Sequence, residues 1–464
     1  MITKTLREIA VMCGGNLVHQ QDSDIVIHGV IRDSRHMSEG CLFIPLVGEN
    51  YDGHVFVAEG LRTGAGGALW QRDRGTPPQG AVIEVDDTLV ALQMLSEAYL
   101  REVGSKVIGI TGSNGKTTTK DMVAALLETT YKVHKTVGNY NNHIGLPLTI
   151  LAMDRDVDII VLEMGMSERH EIEVLAAIAS PDVAVITNIG EAHLLQLGSR
   201  EEIARAKVEI SSGLKSGGLL IYNGDEPLIS EVLAESTTIK PIDMKTYTFG
   251  MNPDNDEYPT GMLNHNKGVI FTTNIYKEQG IDLPLLGRHN VVNCLAALAV
   301  ARHFSVSEEN IHKGLSQLRL SAMRIEQIVL PTGLTVLNDA YNASPSSMKA
   351  AIDVLQSMKG YRTKIAVLGD MLELGLQEQE FHAEIGRYLT ADKVNLLYTY
   401  GPLSRNTAEA AKVHLPESSI HAFEDKQELI RHLKDHLQPR DIILMKASRG
   451  MKLEEVVDAL KEKY

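Results

Sequence analysis

The chain has 464 residues, 44% of them hydrophobic and 23% charged, and a net charge of −15. So long a chain exceeds one core and predicts roughly two to four domains, while so acidic a balance excludes a protein that neutralises nucleic-acid phosphates with a basic face. Cys13, Cys41 and Cys294 lack metal-type spacing and suit a reducing compartment, and with no signal-like core and no run near the ~18 apolar residues of a span we expect a cytoplasmic protein without membrane insertion.

Residues 1 to about 80 read as a small α/β unit. Leu6, Ile9, Ala10 and Met12 form a helical stripe, and the stretch from Ile25 to Ile31 alternates as a strand. Ser34 and Arg35 follow in a polar turn, then come the strand Gly40 to Pro45 and the Gly-rich loop Gly48 to His54. This edge reads as ordinary turn chemistry or as a ligand site. Two further strands, Ala65 to Trp70 and Ala81 to Val85, precede a helix from Thr88 to Glu102.

The strand end Val107 to Ile110 opens the most informative stretch. Thr111, Gly112, Ser113, Asn114 and Gly115 make a tight turn, and Lys116, Thr117 and Thr118 begin a helix. Glycines let consecutive backbone N–H groups and a helix N-terminus face an anion. In such loops the Lys reaches β/γ-phosphates and the Thr hydroxyl meets Mg²⁺. Ile110 stands where the longer G-x-x-x-x-G-K-[ST] pattern has its first Gly, so the loop is a shorter G-x-x-G-K-T-T form.

Beyond it strands and helices alternate, the mark of a mostly parallel sheet. The strand Val157 to Leu162 ends at Glu163, and Asp182 to Asn188 leads to His193. Ligands of such sheets gather at strand carboxyl ends, which puts both side chains on the phosphate-loop edge. Glu163 reads as a Mg²⁺ contact or a solvated strand-end acid; His193 as a structural histidine or a group near a second divalent ion. A helix from Glu201 to Leu214 carries Lys207, and Gly218 to Asn223 is a further strand. Residues 245–285 read as a peripheral set of short strands. Two helices follow, Gly287 to Arg302 and one capped by Ser307 through Leu318. From near Leu320 the α/β rhythm resumes: strands near Thr335, Lys364, Val394 and Asp441, and helices Pro345 to Met358, Gln379 to Tyr388, Gln427 to His436 and Leu453 to Lys461.

Thr111 to Thr118, Gly138-Asn-Tyr-Asn-Asn142, Thr187 to His193, His289-Asn-Val-Val-Asn293 and Asn338 to Pro345 occur in this order. Together they resemble the Mur ligases, ATP-dependent amide-forming enzymes of peptidoglycan precursor synthesis, and the resemblance spans essentially the whole chain. Gly138 to Pro147, Asp52 to His54 and Gly369 to Gly375 look most like the branch that joins D-alanyl-D-alanine to UDP-N-acetylmuramoyl-tripeptide. An Asp-Asn-Pro-Arg tetrapeptide, often carried by the diaminopimelate-adding branch, is absent. A sibling ligase and a nucleotide-gated scaffold without amide synthesis are the alternatives.

The resemblance implies an α/β fold of three domains: a small N-terminal α/β domain (1–100) for the UDP substrate, a central P-loop domain (101–319), and a C-terminal Rossmann-like lid (320–464). It implies ATP held by Gly112 through Thr118, two Mg²⁺ ions served by Thr117, Glu163 and His193, and Lys207 matching a lysine that some members carbamylate. It further implies that Asn293 contacts adenine, Arg324 the γ-phosphate and Asp339 the ribose. Ser34, Arg35, Asn139 and Asn142 would meet the substrate. Lys116, His193, Lys207 and Arg324 would be the catalytic set, in a monomer. The residue-level alternatives remain a solvated helix lysine for Lys207, a buried hydrogen-bonding group for Asn293, an interdomain salt bridge for Arg324 and a strand-end turn for Asp339.

Overall fold

A computed structural model describes residues 1–48, 51–265 and 267–463. At the centre lies a six-stranded sheet in the order Lys245–Phe249, Leu219–Asn223, Val183–Ile186, Lys106–Thr111, Ile159–Glu163, Val133–Lys135. Every pairing in it is parallel. Such strands are covered on both faces, which is why they read as continuous apolar runs. Val107, Ile160, Leu162 and Ile186 turn to one side, against Leu146, Ile172 and Ile203. Ile108, Ile110, Val161 and Val185 turn to the other, against Met122, Val291 and Leu295. A three-stranded antiparallel sheet, Pro259–His265, Gly268–Thr273 and Ile281–Leu283, adds Val269, Phe271 and Leu283 to the second face.

Register sets the functional edge. Glu163 pairs beside Ile110, and Ile186 beside Thr111. The phosphate loop thus leaves the sheet between Glu163 and the segment after Ile186. The strand order reverses at the Lys106–Thr111 strand, so this edge is a topological switch point, where open α/β sheets bind ligands.

At the N-terminal end a five-stranded sheet runs Asn16–Leu17, Val82–Val85, Gly67–Gln71, Leu42–Phe43, Val30–Ile31. The helix Thr88–Val103 follows it, its Asp87 cap accepting from Val90 N–H. At the other end a six-stranded sheet runs Glu326–Val329, Thr335–Asn338, Ile442–Lys446, Lys364–Gly369, Leu396–Tyr400, Ile420–Phe423, antiparallel only in its first pair. Among the described residues no helix is long and apolar enough to cross a membrane.

Several elements differ from expectation. The strand expected over Ile25 to Ile31 is broken at Gly29 (φ 79°) into Val26–His28 and Val30–Ile31, which join different sheets. The helix expected over Glu201 to Leu214 is α-helical only over Arg200–Val208 and tightens into a 3₁₀ turn, Glu209–Gly213. Gly213 there packs against the backbone of Ala176, where an added Cβ would lie 2.3 Å from the carbonyl oxygen. Lys245–Phe249, expected in a peripheral sheet, is the edge strand of the central one. In the Gly48 to His54 loop, Glu49 and Asn50 lie outside the described residues.

Candidate active site

The phosphate loop is shaped by the strand next door. Thr187 Oγ1 donates to Asn114 O at 2.6 Å, Asn188 O and Oδ1 accept from the N–H groups of Ser113 (3.0 Å) and Asn114 (2.9 Å), and Gly190 N–H donates to Ser113 Oγ at 2.8 Å. Two glycines are forced by contact and backbone together. Gly112 (φ 145°) has no room for a Cβ, which would fall 1.8 Å from Thr187 Oγ1; at Gly115 (φ 81°) it would fall 2.4 Å from Asn293 Oδ1. The helix Lys116–Leu127 starts at this Gly115 cap with no side-chain partner for its first N–H groups, so that end is open to an anion. Lys116 Nζ folds back onto Gly112 O (2.7 Å) and Ser113 O (3.4 Å). Burial holds its ammonium below the usual lysine range, partly offset by Glu163.

Thr117 is a junction. Its hydroxyl donates to Glu163 Oε2 at 2.9 Å and accepts from Arg324 at 3.2 Å. Glu163, 3% exposed, uses its other oxygen to accept from Asn141 Nδ2 at 2.9 Å. The Arg324 guanidinium carbon lies over the Tyr341 ring, 4.0 Å from its centroid, a cation–π contact that holds the side chain beside the loop. From the same side Ser344 and Ser346 meet the Asn114 side chain at 3.3 and 3.2 Å.

His193 has left-handed backbone (φ 65°), and its Nδ1 lies 2.9 Å from Glu373 Oε2 on the C-terminal unit. Burial, then the charges of Lys207 and Lys116, push its imidazole below the usual range, against Glu373. Lys207 is 1% exposed. Its amine is driven well below the lysine range by burial and by Lys116, and it makes no hydrogen bond or ion pair to another of the described residues.

A cavity of about 650 Å³ gathers these groups. Ser113 through Thr118, Asn139, Asn142, Glu163, His193, Asn293, Arg324 and Asp339 all line it. Lys207 is not among the lining residues, but its charge is felt by His193, which is. Asn142 also caps the helix Gly145–Ala152, accepting from Ile144 N–H (3.2 Å) and Gly145 N–H (2.8 Å). Asp339 is committed on both oxygens, to Ile325 N–H at 3.2 Å and Lys446 Nζ at 2.5 Å. Ser34 and Arg35 are apart from the cavity; Arg35 is tied to Asp33 through two side-chain bonds of 2.9 and 2.6 Å. Sequence reasoning missed Asn141, Tyr341, Glu373 and the Asp339 partner Lys446. Their segments were in view, but a side-chain pairing between distant loops leaves no periodic trace.

Residues 110–301 match the Mur ligase middle domain, and residues 323–449 match the Mur ligase, glutamate ligase domain. The UDP-N-acetylmuramoyl-tripeptide–D-alanyl-D-alanine ligase of Bacillus subtilis is 49% identical over 463 residues, covering 100% of this chain and 99% of its own. Among solved structures, MurF from Acinetobacter baumannii superposes with a TM-score of 0.88 at 30% identity, covering 100% of both chains. MurF ligase from Thermotoga maritima in complex with ADP gives 0.81 at 29%, covering 94% of this chain and 97% of its own. The chain belongs to the Mur ligase family.

Proposed function

We propose that this protein joins the amine of D-alanyl-D-alanine to the terminal carboxylate of UDP-N-acetylmuramoyl-tripeptide at the expense of ATP. The observation that carries the reading is the meeting, in one cavity, of a phosphate loop with Arg324 from the C-terminal unit. Full-length similarity to ligases of that specificity supports the choice of substrates.

A carboxylate resists amines because its oxygen is a poor leaving group. Transfer of the γ-phosphoryl group onto that oxygen gives an acyl phosphate; the amine nitrogen then attacks the carbonyl carbon, and phosphate departs as the amide forms. Such transfers depend on positioning and charge neutralisation. The open helix end and Lys116 bind the phosphates, and Arg324 stands where charge builds on the transferred group. Asn293, packed on Gly115, and Asp339 face the nucleoside side. A C-terminal lid that closes Arg324 and Tyr341 onto the loop excludes water from the acyl phosphate. The N-terminal residues 1–100, with Ser34 and Arg35, hold the UDP end, and Asn139 and Asn142 meet the peptide.

The donor set suits Mg²⁺. Thr117 and Glu163 present hard oxygens 2.9 Å apart, and among the described residues no three His, Cys, Asp or Glu side chains converge on one point. Thr117 and Glu163 would hold such an ion, whose charge would help neutralise the phosphates. His193 and Lys207 would serve a second ion. A lysine ammonium would repel it, but burial and the charge of Lys116 hold the Lys207 amine well below the lysine range, which favours the neutral form that adds CO₂ and loses a proton to become a carbamate. The reading is tested by mass spectrometry of the product: the tripeptide substrate should gain one dipeptide less water, with one ADP and one phosphate formed. ADP and phosphate formed without that gain would overturn it.

A further inference from the structure

The helix that opens the phosphate site carries a second group aimed at the C-terminal half. Asp121 lies on the same helix as Lys116 and is 2% exposed. Its carboxylate is divided between two tasks. Oδ1 takes the ammonium groups of Lys120 at 3.3 Å and Lys135 at 3.2 Å. Oδ2 accepts from both the backbone N–H (2.9 Å) and the hydroxyl (2.8 Å) of Ser321. Ser321 stands in the connection between the helix Glu308–Ser316 and the strand Glu326–Val329, just ahead of Arg324.

That connection is held in an unusual shape. Met323 (φ 61°) and Ile325 (φ 51°) both have left-handed backbone, on either side of Arg324. A β-branched residue rarely adopts it, and such backbone persists only where its surroundings over-determine it. On the C-terminal side the determinants are the Ile325 N–H bond to Asp339 and the Tyr341 ring under Arg324. On the other side a cavity of about 700 Å³, bounded by Asp121, Glu128, Lys135 and Ser316 to Arg319, lies between helix and connection. Beyond Leu318, which packs on the core, the Asp121–Ser321 clamp ties the connection to the helix. Bonds to an ionised, buried acceptor are about twice as strong as neutral ones.

We propose that Asp121 is a positioning residue: by clamping Ser321 it sets the connection so that Arg324 arrives over Thr117. The same helix thereby fixes both the phosphate loop at its start and the arginine that faces it. This rests on the ligase reading above.

The test uses the full-length chain with ATP, UDP-N-acetylmuramoyl-tripeptide and D-alanyl-D-alanine, in the wild type and in Ser321→Ala, Ser321→Thr and Asp121→Asn. For each, kcat, ADP affinity, melting temperature and the rate of tryptic cleavage after exposed Arg319 are measured. A wild type that does not turn over sinks the ligase reading; the cleavage rates then still judge the clamp. Ser321→Ala is expected to lose roughly tenfold to a hundredfold in kcat, the size of effect an ångström-scale misplacement produces. Its ADP affinity and melting temperature should stay close to wild type while cleavage after Arg319 accelerates. Ser321→Thr, which keeps the hydroxyl, should recover kcat. Asp121→Asn also strips Lys120 and Lys135 of their counter-charge, so the Ser321 pair decides. Wild-type kcat and cleavage in Ser321→Ala overturn the proposal, as does a loss of kcat matched by equal losses in melting temperature and ADP affinity.

Discussion

Arg324 reaches the Thr117 hydroxyl at 3.2 Å across 207 residues of chain. Thr117 in turn donates to Glu163, so a single hydroxyl ties the phosphate loop, the neighbouring strand and the C-terminal unit together. Replacing Arg324 by Ala should lower kcat by about 10²–10⁴, within reach of the effect of an arginine supplied to a phosphoryl group from outside its loop. The apparent affinity for ATP should change far less. Lys in its place should recover little, because it lacks both the planar fork and the stack on Tyr341. Initial rates at saturating substrates check this, and a near-wild-type Lys variant would count against it.

Glu163 is buried and bonded on both oxygens, to Thr117 and Asn141. Glu163→Gln keeps the shape and removes the charge. The Mg²⁺ concentration for half-maximal turnover should rise by roughly tenfold or more, with the fold intact by circular dichroism. A Mg²⁺ titration that superposes on the wild type would remove Glu163 from the metal site.

Lys207 combines near-complete burial with a strongly depressed amine. Lys207→Ala should abolish turnover, and short carboxylic acids should restore part of it by entering the vacated space as a carboxylate. In the wild type, ¹³C-bicarbonate should give a carbamate resonance that disappears in the variant. An active variant indifferent to added acid, with no such resonance in the wild type, would refute carbamylation.

His382 is expected to give the C-terminal unit an acid-sensitive stability. The ring is 1% exposed; its Nε2 accepts from Met371 N–H at 3.0 Å and its Nδ1 faces Glu378 O at 2.6 Å. Burial pushes the imidazole below its usual range, and protonation would set a second N–H against that of Met371. For a base whose folded pKa is depressed, the stabilisation is complete above the unfolded value of about 6.5 and is lost as pH falls through the folded value. Melting temperatures should therefore drop between neutral pH and pH 5, with a shallower slope in His382→Gln. Identical slopes would show that other groups govern the acid response.

The parts of this fold that were legible in the sequence are those with local or periodic causes. Runs such as Val183–Ile186 announce strands buried on both faces, and Gly112 through Thr118 announce a phosphate loop after a strand. That Glu163 and His193 share the edge with the loop followed from parallel topology alone. The strand Glu326–Val329, of which only Ile328 is even partly buried, and the helix Ser404–Ala411, with its weak apolar pattern, lacked such a signal. The side-chain pairs that shape the site lacked it for a different reason. Asn141 on Glu163, Tyr341 under Arg324 and Lys446 on Asp339 each join segments far apart in the chain. Only tertiary packing within each unit brings such pairs together.

The central claim is that the phosphate loop and Arg324 drive amide synthesis between two particular substrates. Phosphate release measured with ATP, UDP-N-acetylmuramoyl-tripeptide and D-alanyl-D-alanine, omitting each in turn, tests it most directly. The account predicts sustained release only when all three are present. Full release without the dipeptide, or equal release with glutamate or a diamino acid in its place, would contradict it.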